Sequence, residues 1–281
     1  MQLKQLIPKP LRALGRKAVN AFTLTETIDA SKKKWNTMAE KNARYFVMTD
    51  FGEKISEEQF HASGRKDFDE LVLQDKILAT RLIPFKEKTV LEIGAGCGRI
   101  TEFFADYFKE VAGVDISESM IAQGKERLAA RVHSKTPQMR GAEERKTEPY
   151  SSYSEVLSDE GNKADEGFGM YSKNVELFAT DGLHIPLPDN SRDFVFSFIV
   201  FQHMPDKETI KANLKEIGRV LKTGGIAKIQ LRGLPTSKKN WFYGPSFESK
   251  NIPELIQSTG LSILQTSGGG SRYFWVWLER K

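Results

Sequence analysis

Three glycines at alternate positions, Gly94, Gly96 and Gly98, follow directly on the apolar run Val90-Leu-Glu-Ile93. A strand that runs into such glycines and then into a helix must turn tightly, leaving bare main chain open to a ligand at the strand's carboxyl end. Seventeen residues beyond Gly98 a second apolar run ends in Val111-Ala-Gly-Val-Asp115. An acid at a strand tip, at about that distance, can accept from both ribose hydroxyls of an adenosine. The ligand class is therefore nucleotide-like.

The glycine spacing then narrows the class. A dinucleotide site uses G-x-G-x-x-G, whereas this chain has G-x-G-x-G, with Arg99 where the third glycine of that fingerprint would fall. No G-x-x-x-x-G-K-[ST] phosphate loop occurs anywhere, which excludes an ordinary P-loop nucleotidase. Four histidines, His61, His133, His184 and His203, are scattered without paired ligand spacing, so no metal site is expected. Cys97 inside the glycine loop reads as a small packed residue rather than a nucleophile.

These residues need a frame. From Thr89 onward short apolar runs at 89–93, 110–115, 175–179, 193–199 and 226–231 alternate with helical segments, which is the pattern of a parallel sheet with helices on both faces. One helix begins at a capping Ser117 and places Ile121, Leu128 and Val132 along one side; another, capped by Asp206, places Ile210, Leu214, Ile217 and Leu221 at helical spacing. Thr223-Gly224-Gly225 stops the second of these. Two last strands, about 261–266 and 272–279, flank a glycine-rich connection too short for a parallel crossover, so they form an antiparallel hairpin. The expected fold is α/β: a seven-stranded, mostly parallel sheet with helices on both faces and a C-terminal antiparallel hairpin, preceded by an N-terminal helical cap. Residues 1–88 supply a basic arm and the cap, and 89–281 the sheet domain. Residues 133–172 hold eight acids and five Lys or Arg but only Val156 and Leu157 as branched aliphatics, and are expected to be a disordered insertion.

Composition sets the outer limits. At 281 residues, 39% hydrophobic and 28% charged, the chain has enough apolar sequence for a globular core, and its longest nearly apolar run, Phe194 to Phe201, is far short of the roughly 18 residues that span a bilayer. Lys and Arg number 42 against 37 Asp and Glu, a formal charge of +5. The acid-free arm carries all of it through Lys4, Lys9, Arg12, Arg16 and Lys17, so the body has no basic excess and nucleic acid is not an expected partner. With Leu11, Leu14, Ala18 and Phe22 at helical spacing, residues 1–20 suit a helix on the body, a peripheral membrane or anionic contact, or an organelle presequence. The lone cysteine suits a reducing, cytoplasmic setting.

Read in order, the motifs resemble those of the class I S-adenosylmethionine-dependent methyltransferases, from about Thr89 to Lys281. Glu92 to Gly98 is similar to that family's first motif, Asp115 to its ribose acid, and Ala179-Thr-Asp181-Gly182 to the loop that meets adenine. Leu187-Pro-Asp-Asn-Ser-Arg-Asp193-Phe-Val-Phe-Ser resembles the lead into the fourth strand, Phe201-Gln-His203-Met-Pro its exit, and Arg219-Val-Leu-Lys-Thr-Gly-Gly225 the turn before the fifth. The resemblance implies strand order 3-2-1-4-5-7-6 and S-adenosyl-L-methionine as cofactor. It implies that the backbone of Gly94, Ala95 and Gly96 approaches the methionine part, that Glu92 orients its amino group, that Met120 lies against adenine and that Asp181 accepts from the exocyclic amine. Gly98, Ile116 and Gly182 are counted with them as cofactor contacts. The Met120 side chain equally suits a place in the core, and Asp181 equally suits a turn or cap.

Because a sulfonium is already a good leaving group, the implied reaction is an in-line displacement in which a general base is optional. His203 is the candidate base by location, against a histidine hydrogen-bonded in a strand–helix corner. The acceptor is expected between the cap and the loop after the fifth strand, with Tyr45, Arg232, Trp241 and Tyr243 as candidate contacts and a small molecule or a protein as acceptor. The competing reading is a catalytically inactive binding or scaffold protein of the same fold, interacting through its arm and its acidic insertion.

Overall fold

A computed structural model of the chain describes residues 27–134, 174–235 and 244–281. The basic arm, nearly all of the 133–172 insertion, and Trp241 and Tyr243 lie outside the described residues.

The strands are β1 (Thr89–Ile93), β2 (Glu110–Asp115), β3 (Val175–Ala179), β4 (Arg192–Ser197), β5 (Leu221–Leu231), β6 (Leu261–Ser267) and β7 (Phe274–Arg280). They form one sheet in the order β3-β2-β1-β4-β5-β7-β6. Every pairing is parallel except β5 with β7 and β6 with β7. The fold and the strand order expected from the sequence are both observed. Positive φ at Gly268 and Gly270, 73° and 76°, lets the connection turn back on itself as an antiparallel hairpin.

A parallel sheet must be covered on both faces, and successive residues of a strand point to opposite sides. Val90, Phe194 and Phe196 enter a core shared with Phe104 and Phe108, whereas Leu91 and Val195 enter the other with Leu214 and Ile217. The sheet's covering helices include α4 (Thr101–Tyr107), α5 (Glu118–Ser134), α6 (Lys207–Val220) and the short α7 (Ile252–Leu255), which follow the three cap helices defined below. In α6 the predicted stripe of Ile210, Leu214 and Ile217 is buried with Leu221 just beyond it, and Asp206 caps the helix by accepting from the Thr209 N–H at 2.7 Å. Ser117 caps α5 by accepting from the Met120 N–H at 3.1 Å.

The cap comprises α1 (Ile28–Val47), α2 (Glu57–Phe68) and α3 (Lys76–Leu82). Helix α1 breaks at Asn42 (φ −171°, ψ 85°), whose side chain donates to the Glu53 carbonyl at 2.7 Å and accepts from the Tyr45 N–H at 3.1 Å. These bonds replace those the kink gives up and turn the last residues of α1 over the sheet. A second anchor sits away from the glycine loop: Lys228 on β5 pairs with Asp75 at 2.7 Å, both side chains buried, and Trp277 Nε1 donates to the same carboxylate at 2.8 Å.

Candidate functional site

At the end of β1 the chain turns through Gly94, Gly96 and Gly98, all with positive φ (76°, 53° and 81°). The N–H groups of Gly94 and Ala95 both donate to the Val114 carbonyl, at 2.7 and 3.0 Å, so the loop is stitched to the tip of β2. A side chain at Gly94 would sit 2.0 Å from Val200 Cγ2, so only glycine fits where the loop meets the exit of β4.

Two helices clamp the loop from behind. Arg127 on α5 donates to the Gly98 carbonyl at 3.1 Å and ion-pairs with Glu102 and Glu57, each at 2.7 Å. Arg99 pairs with Asp67 on α2 at 2.6 Å. Gly64 on α2 lets that helix come close, since a Cβ there would lie 2.3 Å from the Arg99 carbonyl. The burial and pairing of both arginines make them parts of the scaffold.

In front of the loop lies a mostly apolar cavity. Glu92, Gly94, Ala95, Gly96, Asp115, Ile116, Met120, Gly182 and His203, nine of the residues singled out from the sequence, line it together. The roof comes from α1 and its kinked end, through Ile28, Trp35, Phe46 and Val47, and the far wall from Phe198, Val200, Met204 and Pro205.

Its two carboxylates differ in setting. Asp115 accepts from the Gly96 N–H at 2.9 Å through Oδ2 and from the Ser117 N–H at 2.8 Å through Oδ1, and the Ile116 N–H also pulls on the carboxylate. Burial pushes its carboxyl up to about 6 against the pull of those N–H groups. Glu92 is buried and accepts from the Thr101 hydroxyl at 2.6 Å. Burial pushes its carboxyl up to about 8, with the hydrogen bond and the neighbouring Arg99 opposing the rise. A carboxylate so placed fits a cationic ligand group, which would draw it back to the charged form. Among the described residues no group of His, Cys, Asp or Glu is placed to hold a metal ion.

Other expected residues stand elsewhere. Gly98 is not on the cavity wall; a Cβ there would face Leu128 of α5 at 3.4 Å. Asp181 is exposed, and its carboxylate accepts from the N–H groups of Leu183 and His184, both at 2.8 Å, with the His184 ring 2.6 Å away. Its modest burial works against the charge, but the His184 ring and those N–H groups hold it down at about 2. In this structure Asp181 makes the turn whose neighbours Thr180 and Gly182 reach the cavity. Tyr45 packs edge-on against Phe46 at 5.0 Å, and it is Phe46 that lines the cavity. Arg232 is buried but off the wall. Met120 takes both of its expected places, since it is buried among Ala39, Ala43, Phe60 and Cys97 and also borders the cavity. Burial pushes the Cys97 thiol up to about 11, in keeping with a packed residue.

Comparison with known proteins bears on the family and the fold. The family model described as a methyltransferase domain matches residues 91–227. Phosphoethanolamine N-methyltransferase 2 of Caenorhabditis elegans is 26% identical over 203 residues, 69% of this chain and 37% of that protein. The chain spans 34–42% of the length of the curated relatives it matches. Among solved structures, Haemonchus contortus phosphoethanolamine N-methyltransferase 1, in complex with phosphoethanolamine and S-adenosylhomocysteine, superposes with a TM-score of 0.54 at 18% identity, covering 90% of this chain and 48% of that one. Magnesium protoporphyrin IX methyltransferase from Synechocystis, with bound SAH, gives 0.53 at 14% identity, covering 89% and 98%. At such identities these superpositions establish the fold.

Proposed function

We propose that this chain, which matches the methyltransferase-domain family model, is a class I S-adenosylmethionine-dependent methyltransferase that transfers the methyl group of that cofactor to a small-molecule acceptor. The observation that carries this reading is the convergence of Glu92, the Gly94–Gly96 turn and Asp115 on one cavity wall. The cofactor has an ammonium at one end and a ribose diol nearer the other. Glu92 suits the first as a buried carboxylate in need of a cation, and Asp115 suits the second as a carboxylate held at the strand tip by main-chain N–H groups.

When bound, the cofactor supplies a methyl on a positively charged sulfur that leaves as a neutral thioether. The protein's part is to hold donor and acceptor in line and to keep water out. Gly94 and Gly96 give close approach along the main chain, Met120 and Ile116 offer an apolar surface for a flat base, and Trp35, Phe46 and Val47 roof the space. That enclosure beneath α1 supports a small acceptor over a protein side chain. The names of the relatives agree in kind, since phosphoethanolamine and magnesium protoporphyrin IX are both small molecules.

The test is label transfer from methyl-labelled cofactor to a panel of phosphorylated amines, quinols and phenols, porphyrin acids, and a whole-protein extract. Label on an extractable small molecule is expected. Label confined to protein, or none while the cofactor binds, would refute the reading.

A further inference from the structure

The residues that line the cavity follow the order of the sheet. Glu92 stands on β1, Asp115 at the tip of its neighbour β2, and Thr180 just past β3, the next strand out. The Thr180 N–H donates to the Asp115 carbonyl at 2.9 Å, and a Cβ on Gly182 would lie 2.8 Å from Ile116 Cδ1, so the exit of β3 packs on the residues around the sugar acid. A ligand that sets its ammonium by Glu92 and its sugar by Asp115 carries its base on toward β3. The carboxylate of that segment is engaged elsewhere, since Asp181 is exposed and accepts within its own turn from the Leu183 and His184 N–H groups.

One side chain of α6 reaches the same place. Asn213 is 5% exposed and lines the cavity. Its Nδ2 donates to the Gly182 carbonyl at 2.8 Å and to the Thr209 carbonyl at 3.0 Å. Turning this amide over would set its oxygen against two carbonyls, so its orientation is fixed and both of its hydrogens are engaged. What Asn213 can offer a ligand is the acceptor Oδ1. Ser31, Thr180, His184 and Thr209 also line the cavity, but a hydroxyl or an imidazole can change between donor and acceptor. Asn213 cannot.

We propose that Asn213, through Oδ1, receives the exocyclic amine of the cofactor's base and so selects adenine over purines that lack the amine, the role that the family resemblance gives to Asp181. The proposal rests on the methyl-transfer reading. A base without that amine would leave Oδ1 covered and without a donor, which costs affinity. Ile116 and Met120 give apolar surface to any purine and do not discriminate.

Calorimetric titration of the full chain compares S-adenosylhomocysteine with its analogue carrying hydrogen in place of the exocyclic amine, beside Asn213→Ala and Asp181→Ala. In the unaltered chain the analogue is expected to bind about 10-fold more weakly, the scale set by one buried acceptor left unmet. That ratio is expected to fall to about 2-fold or less in Asn213→Ala and to persist in Asp181→Ala. A side chain that only supported the Gly182 turn would weaken both ligands alike and leave the ratio standing, so an unchanged ratio in Asn213→Ala overturns the proposal. Loss of the ratio in Asp181→Ala, or equal binding of the two ligands by the unaltered chain, overturns it too. Should Asn213→Ala fail to fold, Asn213→Ser decides by the same ratio, since it removes the fixed acceptor and keeps a hydroxyl able to bond the Thr209 carbonyl. S-adenosylhomocysteine bound without the expected ratio refutes the proposal alone, whereas its failure to bind the unaltered chain refutes the methyl-transfer reading as well.

Discussion

The main-chain N–H of Gly96 donates to the Asp115 carboxylate at 2.9 Å across 19 residues of sequence. The glycine turn and the acid at the tip of the next strand are therefore one structural unit. The Ser117 N–H takes the second oxygen, so the carboxylate is aimed before anything binds.

The cramped side of that turn gives a first prediction. Gly94→Ala forces a Cβ against Val200 at a φ of +76°. Left-handed strain of roughly 1–2 kcal/mol and overpacking of about 1–3 kcal/mol should together lower stability by about 2–5 kcal/mol. Adding Val200→Ala should recover most of the packing part and leave the strain, with Val200 Cβ still 2.9 Å from the new methyl. Urea unfolding of the two single variants and the double variant checks this; full additivity would show that Val200 is not what the new methyl meets.

Glu92 gives a prediction in pH. Its carboxyl is raised from 4.5 to about 8, so the folded chain keeps a proton there that the unfolded chain has lost. Stability from this group is whole below about 4.5 and falls as pH rises toward 8, because the folded state binds the extra proton across that window. Glu92→Gln should flatten that decline in thermal unfolding from pH 5 to 8. An ammonium bound beside Glu92 should expel the proton, so calorimetry at pH 7 in buffers of different ionisation heat should show release approaching one proton per cofactor. Glu92→Gln should abolish it, and a buffer-independent heat in the unaltered chain would contradict the pairing.

The anchor between cap and sheet gives a third. Asp75→Ala would leave Lys228 charged and buried beside Trp275 and Trp277, and would also remove the acceptor for the Ile77 and Leu78 N–H groups. A loss of about 3–5 kcal/mol is expected. Asp75 and Lys228 do not line the cavity, so cofactor affinity of the folded fraction should be unchanged. A loss below about 1 kcal/mol in denaturant unfolding would mean that Lys228 finds another partner.

Much of this architecture was legible because the pattern repeats. Apolar runs of five to eight residues between helical stripes give away the strands, and a glycine-rich link too short for a crossover gives away the hairpin. The first motif was legible because glycine at positive φ and a carboxylate at a strand tip are requirements that few other residues meet. The acceptor side was not. Tyr45 and Phe46 are both aromatic neighbours in one helix, and only the kink at Asn42 decides which one faces the cavity. Asp181 likewise has one carboxylate and two claims on it, and its own turn takes the carboxylate. Arg99 and Arg127 could not be placed beneath the loop from sequence, because their partners on the cap lie 32 and 70 residues away.

The central claim is that Asp115 grips the sugar of a sulfonium-bearing adenosine over the glycine turn. Titration calorimetry of the full chain with S-adenosylmethionine, beside Asp115→Ala, tests it most directly. Two hydrogen bonds to a charged acceptor contribute about 1.5–3 kcal/mol each, so one-to-one binding in the unaltered chain should weaken by at least about 100-fold in the variant, with circular dichroism confirming that the variant is folded. Equal affinity in the two proteins, or no heat from the unaltered chain, would contradict the account.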